Sequence, residues 1–106
     1  MTNRELHRKY RRFNRSYFGN KLPKTLITEF VNFKNGAIMG RTLGTKHLRP
    51  KEIQISNEFK NCPAVIIPTL LHEMVHAENP KRRGHGEWFD VRMLKLAIDG
   101  AFNGIW

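Results

Sequence analysis

At 106 residues the chain has room for one domain and not for two. With 40% hydrophobic and 26% charged residues it is ordinary for a globular protein, and Ala64–Ile67, its longest apolar stretch, falls far short of the ~20 residues needed to span a bilayer. Nineteen Lys and Arg against nine Asp and Glu leave a net charge of +10, a field that favours polyanions such as DNA or RNA.

The N-terminus lacks the apolar core of a secretory signal. A single cysteine, Cys62, excludes an internal disulfide and fits a reducing compartment. The expectation is a cytoplasmic monomer with no membrane partner, nucleoid-associated if it binds DNA.

Residues 3–18 read as a helix. Thr2 and Glu5 form a capping box, in which each side chain satisfies an unpaired backbone donor of the first turn, and Gly19 supplies a left-handed stop. Leu6, Tyr10, Phe13 and Tyr17 make one apolar stripe. Arg4, Arg8, Arg11, Arg12 and Arg15 share the spacing on the opposite face. Like charges four apart repel by a few tenths of a kcal/mol per pair, so helix stability does not account for them, whereas an external anion would. They are the candidate nucleic-acid contacts, beside the bland reading of a solvated basic face.

Residues 26–33 are rich in β-branched and aromatic side chains and read as a strand. Asn35-Gly36 signals a hairpin turn, with 37–43 as the returning strand. Residues 44–50 read as a loop carrying Lys46, His47 and Arg49, and 52–56 as a third strand. Pro68 fits the first turn of a helix over 69–78, because its missing N–H costs nothing there. A basic loop, Lys81-Arg82-Arg83-Gly84, leads to a last helix over about 87–99, its inward face formed by Met93, Leu94, Ala97 and Ile98. The fold class is α+β: an N-terminal helix, a small three-stranded sheet, an active-site helix and a C-terminal helix.

His72-Glu73-Met74-Val75-His76 is the H-E-x-x-H pattern on a predicted helix. Residues four apart lie one turn up the same face, so both imidazoles reach one zinc ion at about 2.0–2.1 Å. Glu73 sits beside that face, where it can meet a water without ligating. A catalytic zinc needs three protein ligands and an open position. Leu96 and Arg82 stand where other H-E-x-x-H peptidases place a third ligand. His85, flanked by Gly84 and Gly86, is the leading candidate, with Glu87 and Asp90 as carboxylate alternatives.

H-E-M-V-H-A (72–77) followed by a basic loop and G-H-G-x-x-F (84–89) resembles the SprT-like metallopeptidases, a group that includes the Spartan proteases. Tyr17-Phe18 with Leu22, a central Gly40, and Ile53-Gln54-Ile55-Ser56 ahead of the helix extend the resemblance over nearly the whole chain. It implies a zincin-like minimal protease domain over residues 1–106, without the cysteine-rich zinc ribbon many members carry. It implies one Zn2+ held by His72, His76 and His85, with Glu73 catalytic, and cleavage of proteins bound or crosslinked to DNA. Under that reading the basic helix, with Lys81, Arg82 and Arg83, is where single-stranded or damaged DNA would bind. The competing reading is a nucleic-acid-binding module whose zinc is structural and closed by a fourth ligand, from Glu87, Asp90 or Cys62.

Overall fold

The computed structural model describes residues 1–44, 49–82 and 84–103. The readings made for Lys46 and His47 and for Arg83 lie outside the described residues. The elements run α1 (Asn3–Tyr17), β1 (Ile27–Val31), β2 (Gly40–Gly44), β3 (Pro50–Ser56), a 3-10 turn (Asn57–Phe59), α2 (Pro63–Glu78) and α3 (Glu87–Ile98). Three helices and a small mixed sheet make the α+β fold expected.

α1 forms as its local signals dictate. The Thr2 hydroxyl accepts the Glu5 N–H, and the Glu5 carboxylate accepts the Thr2 N–H in return. Leu6, Tyr10 and Phe13 are buried, while all five arginines of the opposite stripe are exposed. At its end Gly19 and Asn20 both take φ 59°, and the buried Asn14 side chain clamps the turn by bonding both N–H and carbonyl of Leu22.

The sheet departs from the hairpin reading. Its strand order is β1-β3-β2, with β1 parallel and β2 antiparallel to β3. Asn35-Gly36 does turn: Ile38 N–H reaches the Asn35 carbonyl at 3.1 Å, and the Asn35 side chain accepts Ala37 N–H at 2.9 Å. Gly36 is not in the left-handed region, however, so this is an Asx-type turn and not the tight hairpin that would pair its flanks. β3, whose Ile53 and Ile55 are fully buried, takes the centre, since a strand paired on both edges suits the most apolar segment. Inward on the sheet face are Thr28, Ile53, Ile55, Gly40 and Thr42; outward are Glu29, Arg41, Glu52 and Gln54. The outer edge of β1 is partly capped by Asn3, which accepts Phe30 N–H at 2.9 Å. β2 is the other edge.

α2 begins at Pro63, not near Pro68. Pro63 holds the first-turn place foreseen for Pro68, and Pro68 lies inside the helix, where its ring leaves the Ala64 carbonyl without an N–H. Ala64 is exposed, so water can take that carbonyl. Ile66, Leu70, Leu71, Met74 and Val75 are fully buried and press α2 onto β2 and β3.

α3 is rotated from expectation. Phe89 and Leu96 are the buried positions, while Leu94 and Ile98 stand 61% and 75% exposed. Arg92 explains the rotation. Its guanidinium grips the Glu78 carboxylate through Nε (2.8 Å) and Nη2 (3.1 Å), bonds the Tyr17 carbonyl at 2.8 Å and lies over the Phe18 ring. A half-buried bidentate pair of this kind is stronger and more directional than an exposed one. It fastens α3 to the ends of α1 and α2, and so fixes both ends of the loop carrying His85.

Candidate metal centre

The buried stripe of α2 leaves His72 and His76 half-buried on its rim, one turn apart. His85 arrives from the loop that follows. Gly84 turns the chain at φ 77°, where a side chain would be strained, and Gly86 is the extended N-cap of α3. His76 Nε2 then lies 3.2 Å from His72 Nε2 and 3.0 Å from His85 Nε2. Ligands at zinc distance in a tetrahedral set are about 3.3 Å apart. A ring nitrogen carries at most one proton, so three of them turned onto one point suit a shared cation better than mutual hydrogen bonds. The three could hold a metal ion.

Phe89 is the floor beneath them. Its ring lies 4.7 Å from His72, 5.0 Å from His76 and 4.7 Å from His85, centroid to centroid. Glu87 and Asp90, the carboxylate alternatives, are exposed and outside the cluster. Cys62 caps the far end of α2, about 15 Å up the axis from His72 at 1.5 Å per residue. Among the described residues, then, no fourth side chain joins the three histidines, and Glu87, Asp90 and Cys62, the fourth ligands the structural-zinc reading names, lie outside the cluster.

Glu73 is 6% exposed, packed behind the triad against β2. Thr42 of β2 offers its hydroxyl to the Glu73 carboxylate Oε1 and to the Glu73 carbonyl, both at 3.0 Å. The other carboxylate oxygen, Oε2, lies 3.8 Å from His72 Nε2. Burial pushes the Glu73 carboxyl up to about 7, against the lowering effect of the Thr42 bond. Burial, then the positive charge of His76 and His85, holds His72 down at about 4, and burial with His85 lowers His76. Both shifts favour the neutral imidazole, the form that ligates a metal.

The Glu73 shift carries a stability consequence for the metal-free protein. The folded carboxyl holds its proton to about pH 7 and the unfolded one only to about 4.5, so its contribution is complete below pH 4.5 and lost as pH rises through 7. Metal-free Glu73→Gln, which has no such charge to bury, is expected to unfold at a higher temperature than wild type at pH 8. The gap, on the order of 3 kcal/mol, should close by pH 5. Thermal melts of both proteins at the two pH values measure it; a gap independent of pH would contradict it.

The site opens into a cleft of about 530 Å³ between β2 (Gly40–Gly44), α2 and the 80–85 loop. Arg82 is exposed there and lies over the Trp88 ring, and its neighbour Lys81 is exposed as well. Arg4, Arg8, Arg11, Arg12 and Arg15 instead border a separate surface groove with Lys9 and Lys24. Among the described residues none of these cations is ion-paired. Sequence reasoning missed Thr42 as a partner of Glu73 and Phe89 as the floor. Phe89 stood within the quoted motif, but nothing local marked Thr42, 31 residues from its partner.

Comparison with curated proteins gives no match, and neither does comparison with solved structures. The pattern of the SprT-like family matches residues 6–103, nearly the entire sequence and every residue of the site just described. The chain belongs to the SprT-like family.

Proposed function

We propose that the protein is a zinc metallopeptidase acting on proteins bound or crosslinked to DNA. The observation that carries this is the convergence of three histidine Nε2 atoms in front of a buried glutamate, open to a cleft. His72, His76 and His85 would hold the ion. Zinc, when bound, supplies Lewis acidity toward a carbonyl and lowers the pKa of a water. Glu73 takes the proton of the attacking water and hands it to the amide nitrogen as the C–N bond breaks. A cation at the triad favours the carboxylate form of Glu73, against the effect of burial.

β3 is paired on both edges and cannot take an added peptide strand. β2 lines the cleft and pairs only with β3 among the described residues, so an extended peptide adds along its outer edge, beside the triad. The DNA part of the proposal rests on the exposed arginines of α1, which have no ion-pair partner among the described residues, and on the exposed Lys81 and Arg82, the latter lining the cleft.

Comparing cleavage of a DNA-binding protein with and without single-stranded DNA tests substrate class and activation together; cleavage equal in both would remove DNA from the proposal. Binding of single-stranded DNA should also weaken steeply with salt. Replacing Arg8, Arg11, Arg12 and Arg15 with Gln should flatten the log–log slope by up to about 3, at ~0.7 per phosphate contact. A slope unchanged in the quadruple variant would take α1 out of the interface.

A further inference from the structure

Glu73 has two carboxylate oxygens, and their surroundings differ. Oε1 receives the Thr42 hydroxyl at 3.0 Å. Oε2 receives no hydrogen bond from any described side chain and points toward the triad, 3.8 Å from His72 Nε2. The same hydroxyl lies 3.0 Å from the Glu73 carbonyl, so one group of β2 meets both the backbone and the side chain of the glutamate. Next to it, Gly40 lets the strand come close. A Cβ there would sit 2.8 Å from Thr69 Cγ2, 3.2 Å from the Gln54 carbonyl oxygen and 3.4 Å from Glu73 Cγ.

We propose that Thr42 is a positioning residue that seats Oε1 and so reserves Oε2 of Glu73 as the oxygen that exchanges protons with substrate and water. This rests on the peptidase reading given above for its consequence in turnover, though the seat itself does not. A carboxylate pivots about its terminal torsion, which is broad and roughly two-fold, so a buried glutamate needs a partner to hold its plane. A hydroxyl on an adjacent strand can do this without competing for the metal: it has one proton to give, and it bears no charge. Thr42 is inward-facing on β2, the strand proposed to receive substrate. The proton acceptor and the peptide are thus referenced to one backbone segment, which sets the distance between Oε2 and a scissile bond laid along that edge.

The test compares wild type with Thr42→Val, which keeps the shape and removes the hydroxyl, and Thr42→Ser, which keeps the hydroxyl and removes the methyl. In Thr42→Val, kcat should fall by roughly ten- to a hundredfold, the scale of a displaced catalytic group, with KM and zinc stoichiometry close to wild type. Thr42→Ser should restore most of the rate. Crystal structures of the metal-free proteins should show the Glu73 carboxylate rotated in Thr42→Val and in its wild-type orientation in Thr42→Ser. Full kcat in Thr42→Val, a Thr42→Ser variant as slow as Thr42→Val, or an unmoved carboxylate in Thr42→Val would overturn the assignment. If zinc-loaded wild type cleaves nothing, the peptidase reading fails, and the metal-free crystal structures still decide the seat.

Discussion

Zinc-loaded Glu73→Gln should cleave protein substrates roughly 10²- to 10⁴-fold more slowly than wild type, the usual contribution of a general base, and should still carry one zinc ion. The separation of the two effects follows from the geometry. Glu73 is not among the converging nitrogens, so the amide leaves the ligand set intact. The same amide can keep the Thr42 hydroxyl as donor to its oxygen, so the helix is not expected to shift. Metal analysis beside a cleavage time course checks both halves. Full activity with zinc bound would mean that the base lies elsewhere, and loss of zinc would mean that Glu73 is a ligand.

His85→Ala should have the second large effect, and on a different quantity. Losing His85 leaves two histidines of one helix, and zinc affinity should drop by more than about a hundredfold, since removing even a group that merely supports a ligand costs up to that much. His85 is exposed, so the metal-free variant should melt within about 0.5 kcal/mol of wild type. The stabilisation that zinc confers on wild type should vanish with it, because a ligand stabilises only the state that binds it. Calorimetric titration with zinc and melts with and without the metal measure the two. Unaltered zinc affinity would mean that Glu87, Asp90 or a residue outside those described completes the site.

What could be read from the sequence is what depends on neighbours in the chain. The capping box of α1 spans residues 2–5, its apolar stripe spans 6–17, and the two α2 histidines are four residues apart, so each is set by one helical period. His85 was reachable for a related reason: two glycines around a histidine mark where a short loop can fold back. What escaped depends on distant partners. The inward face of α3 is set by Arg92, whose contacts reach 14 residues back to Glu78 and 75 back to Tyr17; hydropathy alone ranks an arginine as outward. The place of β3 between β1 and β2 reflects competition among three strands for the most buried position, and a local turn signal at Asn35-Gly36 does not register it. The missing N–H of Pro68 points to a helix start, where it costs nothing; burial of Ile66, Leu70 and Leu71 against the sheet outweighs the one lost hydrogen bond inside the helix.

The most direct test of a three-histidine zinc centre that hydrolyses peptide bonds is reversible metal dependence. Wild-type protein is stripped with a chelator, reloaded with one equivalent of zinc, and incubated with an unfolded DNA-binding protein, and new N-termini are counted by mass spectrometry. The result expected is no cleavage in the stripped sample and full recovery with zinc. Stoichiometric zinc on His72, His76 and His85 with no new N-termini, in the presence or absence of single-stranded DNA, would contradict it.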